Sequence, residues 1–165
     1  MERILISSCL VGEAVRYDGK HRLLQHPLIT RWWQEGRLVP FCPEVGGGLG
    51  VPRIPAEIQG GTGEEVWRGK ANVVNQAGED VTTAFMLGAE RMLAVAKSQG
   101  IRIAILTENS PACGVHIIYD GTFQGKKKAG LGVAASLLKQ NGIYIFNHTE
   151  LDAVQELIEK LEKHP

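Results

Sequence analysis

The chain has 165 residues, 44% apolar and 22% charged, and its eighteen cationic and eighteen anionic side chains leave a formal net charge of zero. A chain near this size buries roughly 68–70% of its unfolded surface, so one domain spanning residues 1–165 with a real core is expected. The balanced charge argues against bulk nucleic acid as a partner, and no apolar run approaches the roughly 18 residues a bilayer demands.

The N-terminal stretch MERILISSCLVGE is apolar only from Ile4 to Val11, is interrupted by Ser7 and Ser8, and follows Glu2. That pattern does not fit a signal peptide, so a cytoplasmic location is expected, and RILIS (3–7) reads as a buried strand. LLQHPLITRWWQEG (23–36) carries apolar residues at helical spacing and stops on Gly36, with one of Trp32 and Trp33 in the core. RLVPF (37–41) is a second short strand. Residues 46–63 are so rich in Gly and Pro that a long irregular loop is expected, and 65–80 reads as a strand-rich hairpin turning at Ala77-Gly78.

Asp80 then opens an amphipathic helix over 80–100, in which Val81, Phe85, Gly88, Met92 and Val95 recur on one face. IRIAIL (101–106) is the clearest strand. HIIYDGTFQG (116–125) suggests a hairpin around Asp120-Gly121, AGLGVAASLLKQNG (129–142) a helix, IYIF (143–146) a strand, and 149–163 a terminal helix capped by Thr149. Strand and helix alternate four times, which predicts an α/β fold: a Rossmann-like parallel sheet flanked by helices, with short β-hairpin excursions. In such sheets ligands bind beyond the C-terminal ends of the strands.

The chain's cysteines are Cys9, Cys42 and Cys113, an odd number without a CxxC pair, which makes neither a disulfide framework nor a zinc ribbon. A single free cysteine ordinarily fills core. These three, however, each follow a different strand, and the topology brings all of them to one sheet edge. The loops concerned lie near 8–19, 42–57 and 108–116. Three thiolates without a fourth ligand leave a metal centre with an open position. Two centres fit: a Cys₃ zinc with bound water, or a [4Fe–4S] cluster with one iron lacking a protein ligand. The glycines at 46–48 and Gly114 favour the larger object, since their amides are expected to face its sulfurs. Glu44, two residues past Cys42, is the acid–base candidate, and Ser110 offers a hydroxyl three residues before Cys113. Arg16, Asp18 and Arg53 are candidates for the polar edge of a substrate, Glu57 similarly, and Lys127, within the run 126–128, for a cover or an anion contact. His116 and His148 have no ligand-like spacing.

The blocks SSCLVGEAVRYDG, VPFCPEVGGGLGVPRIPAEI, GEDVTTAFMLGAE, ILTENSPACG and IYDGTFQGKKKAGLGV occur in that order. Together they resemble the thiouracil desulfidase family over about residues 4–146. The resemblance implies a [4Fe–4S] cluster on Cys9, Cys42 and Cys113, a catalytic glutamate at Glu44 and a catalytic serine at Ser110. One departure is Val15, where the family often has a further cysteine. The activity implied is removal of sulfur from a thiocarbonyl such as 4-thiouracil, with water replacing it and sulfide released. The expected partner is a small thiolated pyrimidine, nucleoside or nucleotide, and thiolated tRNA stays open. A thiophilic Lewis acid would polarise the C=S bond while Glu44 activates water and Ser110 relays or orients the proton. The rival readings are a Cys₃-zinc hydrolase and a non-catalytic protein that holds a cluster or carries sulfur.

Overall fold

In the computed structural model, which describes residues 1–163, the N-terminal apolar run forms β1 (Ile4–Ser7) and passes into a 3-10 turn over Ser8–Val11. Helix α1 (Pro27–Gln34) begins at Pro27, not at Leu23, because proline suits the first helical position and His26 Nδ1 accepts the Leu28 N–H. Next come β2 (Leu38–Phe41) and a single helical turn, α2 (Pro43–Gly46). Strand β3 (Ala56–Gln59) and helix α3 (Gly63–Trp67) lead into β4 (Asn72–Asn75), the long helix α4 (Thr82–Ser98) and β5 (Ile103–Ile105). The chain continues through β6 (Ile117–Tyr119), β7 (Lys127–Ala129), α5 (Val133–Gln140), β8 (Tyr144–Phe146) and α6 (Leu151–Lys163).

Four strands form one parallel sheet in the order β2-β1-β5-β8, with Leu5 opposite both Val39 and Ala104. Each strand is three or four residues long and apolar, as suits strands covered on both faces. Side chains alternate across the sheet. Leu5, Ala104 and Leu106 join the core containing Phe85, Met92, Ala134 and Leu138 from α4 and α5. Ile4, Ile6, Ile103 and Ile105 join the opposite core, with Ile29 and Trp32 of α1 and Leu151, Val154 and Ile158 of α6. Trp32 is the buried member of the tryptophan pair, its Nε1 donating to Gln155 Oε1, whereas Trp33 is exposed. This is the α/β architecture expected from the sequence.

Two antiparallel pairs, β3 with β4 and β6 with β7, stand outside the sheet. The first corrects two expectations. Residues 46–63 are not wholly irregular, because β3 starts at Ala56 and α3 at Gly63; and 65–80 is not one hairpin, because α3 comes first and β4 then pairs back with β3. Only the turn at Ala77-Gly78 is local, closed by Asn75 against Glu79 and a bridge from Val74 to Asp80. Thr149, expected as a helix cap, donates its hydroxyl to Asn147 Oδ1. Asp80 does accept the Thr82 N–H at the start of α4.

Helices α2 and α4 meet glycine against glycine. A Cβ on Gly88 would collide with the Pro43 carbonyl, and one on Gly47 with the Ala84 carbonyl. The turn that follows Cys42 therefore rests directly on the α4 backbone. Among the described residues no helix is long and apolar enough to cross a membrane.

Candidate active site

Strand order reverses direction around β1: the chain steps from β1 to β2 on one side, then crosses to β5 on the other. Such a switch point opens a crevice at the strand C-termini. Cys9 lies just past β1, Cys42 just past β2, and Cys113 in the loop after β5. All three wall one cavity of about 310 Å³, together with Glu44, Arg53 and Ser110. Cys9 and Cys113 are buried, Cys42 is half-buried, and all three are free thiols.

Burial pushes each thiol above the ordinary cysteine range. For Cys113, the most enclosed, the shift is large, and the thiolates of Cys42 and Cys9 and the Glu44 carboxylate add to it, although a hydrogen bond with Ser7 opposes it. The trio is thus mutually repulsive when ionised and calls for a positively charged, thiophilic counterpart. Among the described residues no three His, Cys, Asp or Glu side chains are gathered so that they would hold one metal ion. Three soft donors on the wall of one cavity suit a thiophilic centre.

Glu44 is fixed from two directions. Arg53 Nε donates to its Oε1 at 3.1 Å, and Ser110 Oγ donates to its Oε2 at 3.4 Å. Both partners of the ion pair are largely buried, with 9% and 16% of the Arg53 and Glu44 side chains exposed, and Arg53 also donates to the Gly50 carbonyl. Ser110 Oγ in turn accepts the N–H groups of Ala112 and Cys113, at 3.0 and 3.1 Å. With its acceptor capacity taken, the hydroxyl hydrogen is directed at Glu44. The loop is braced further by Glu108, whose Oε1 accepts the amides of Val115, His116 and Ile117 and whose Oε2 accepts from Asn147 Nδ2. Burial alone would raise the Glu108 pKa, but these hydrogen bonds outweigh it and the carboxyl sits below its usual range.

The remaining sequence candidates divide. Arg16 lines the cavity, while Asp18 does not: it holds Arg16 Nη1 at 3.6 Å and accepts the Lys20 N–H in its own turn. Arg53 also lines the cavity, and its Nε is paired with Glu44. Lys127 lies outside the wall, its ammonium 5.7 Å from the centre of the Tyr119 ring. The glycine amides expected to face a cofactor are engaged elsewhere: Gly46, Gly47 and Gly48 donate to Cys42, Pro43 and Val45, and Gly114 donates to Ser110. Those glycines permit close backbone packing instead. Sequence reasoning passed over Arg22, Thr107, Gln76, Tyr119 and Phe123, which also line the cavity. A hairpin around Asp120-Gly121 was legible, but not its approach to the strand-end loops.

The profile of the 2-thiouracil desulfurase family matches residues 4–150. The chain belongs to this family. It is 48% identical over 151 residues to the uncharacterised protein YbbK of Bacillus subtilis (strain 168), covering 92% of this chain and 99% of that one. Its fold is similar to that of a solved structure, the [4Fe-4S]-dependent thiouracil desulfidase TudS, with a TM-score of 0.88, 41% identity, and 96% and 99% of the two chains covered.

Proposed function

We propose that this member of the 2-thiouracil desulfurase family is an enzyme that exchanges the sulfur of a thiocarbonyl for oxygen from water, releasing sulfide, with a [4Fe–4S] cluster held by Cys9, Cys42 and Cys113. One observation carries the reading: thiols from three separate strand ends wall the same cavity as the Ser110–Glu44–Arg53 array. The likeness to a [4Fe-4S]-dependent thiouracil desulfidase supports the choice of cofactor. When bound, such a cluster supplies a thiophilic Lewis acid for the C=S sulfur.

The protein's own groups do the rest. Arg53 holds Glu44 with one oxygen, so the other faces Ser110 and the cavity. Glu44 takes a proton from water as the oxygen attacks the thiocarbonyl carbon, then returns it to the departing sulfur. The balance is C=S plus H₂O giving C=O plus H₂S, with no net electron transfer. Ser110, anchored by the two amides of its loop, steadies the carboxylate and orients the oxygen that carries the proton. Free thiols and an oxygen-sensitive centre suit a reducing, cytoplasmic compartment. A single zinc on the three cysteines is the second reading, and the likeness to a [4Fe-4S]-dependent structure weighs against it.

The test is anaerobic reconstitution with iron and sulfide, followed by incubation with 4-thiouracil. Uracil and sulfide in equal amounts from a brown, air-sensitive protein are expected, and Glu44→Gln should slow turnover by about 10²–10⁴-fold with the colour retained. A colourless zinc-loaded protein that performs the reaction, or a loaded protein that releases no sulfide, defeats the proposal.

A further inference from the structure

One wall of the cavity is not explained by the chemistry of the thiols. The tip between β6 and β7 places Phe123 there with φ of 57°, in the left-handed region where turns ordinarily use Gly or Asn. Held conformations of this kind persist only where their surroundings impose them. Here Glu57 of β3 does so. This carboxylate is 8% exposed, and its Oε1 accepts the amides of Gly121 and Phe123, at 2.9 and 3.2 Å. Gln59 Nε2 adds a bond to the Gly121 carbonyl at 3.0 Å. Glu57 itself lines the cavity. No described residue donates to its Oε2, and no side-chain oxygen among them is both sealed and unpartnered, so Oε2 is not sealed and, with Glu57 on the cavity wall, is free to meet a donor there.

We propose that Phe123 and Glu57 form the ring-binding subsite: the Phe123 ring stacks on a flat heterocycle, and Glu57 Oε2 accepts an N–H from the heterocycle's edge. The substrate class is then N–H-bearing thioamide rings, not thioketones or fully N-alkylated rings. A buried acceptor that finds no donor rejects the analogue lacking it. This rests on the desulfidation reading and adds to it which faces of the substrate are recognised.

The experiment compares cluster-loaded wild type with Phe123→Ala, Phe123→Leu and Glu57→Gln. KM and kcat are measured for 4-thiouracil and 1,3-dimethyl-4-thiouracil, and calorimetry gives the Kd of the product uracil. Loss of stacking should raise KM and the uracil Kd about tenfold in both Phe123 variants, with a much smaller change in kcat. Glu57→Gln should erase most of the preference for the N–H ring over the dimethyl ring, which in wild type is about tenfold or more. Variants that keep KM and Kd within about twofold of an active wild type overturn the proposal. If wild type binds uracil as expected but releases no sulfide, the desulfidation reading fails while the subsite stands. Should Glu57→Gln not fold, Phe123→Leu decides, since it keeps bulk at the tip and removes only the aromatic face.

Discussion

Replacing Gly88 by alanine on α4 probes what sets the Cys42 turn in place. Within a helix the change alone is favourable by about 1 kcal/mol, because alanine is the better helix former. At this position the new methyl would run into the Pro43 carbonyl and approach the Gly47 amide, both backbone groups that cannot swing aside. Overpacking of that kind costs about 1–3 kcal/mol, and a rigid neighbour puts it at the upper end. The net is a loss of about 2 kcal/mol, which for a chain of this size lowers Tm by about 4–8 °C. Because α2 must retreat, Cys42 and Glu44 retreat with it. Thermal unfolding of the cluster-free protein by circular dichroism measures the first effect, and iron bound per chain after reconstitution measures the second. A Gly88→Ala protein that melts as high as wild type and binds its full iron would show that the glycine contact does not position the site.

Other outcomes follow from the same geometry. Arg53→Gln leaves the largely buried Glu44 carboxylate without its cation and should destabilise by about 3 kcal/mol in urea, with Arg53→Lys recovering only part because the Nε donor is lost. Ser110→Ala deprives the Ala112 and Cys113 amides of their acceptor, a loss of about 1–3 kcal/mol seen as a lower urea midpoint at unchanged m-value. Glu108 has a folded-state pKa below its unfolded value, so its contribution is present above pH about 4.5 and fades as pH falls below that value and through the folded pKa. Melting curves between pH about 3 and 7 should therefore fall less steeply on acidification for Glu108→Gln than for wild type, and equal slopes would remove Glu108 from that role.

The four sheet strands were legible because each is a short apolar run bounded by turn residues, and burial on both faces leaves little other use for such a run. Helix α4 was legible from its period, yet Gly88 read as one more apolar position, when it is the point where two backbones touch. Strand β3 escaped notice because AEIQ is only four residues long and adjoins a Gly- and Pro-rich stretch, and its partner β4 lies beyond an intervening helix. The α3 segment, EVW included, has the β-branched and aromatic character of a strand, but tertiary packing against α5 draws it into a helical turn.

By itself the sequence determined after which strands the candidate residues come: three cysteines, a glutamate and a serine in the loops that follow buried runs, where a parallel sheet presents its strand ends. Only the tertiary structure decided what those residues face. Arg53 pairs with Glu44 on the cavity wall, the glycine amides pair within their own loops, and Glu57 and Phe123, 66 residues apart, share a hydrogen bond at the same wall. Local propensity and spacing act over a few residues, whereas these partners meet only after the crossovers of the sheet have closed.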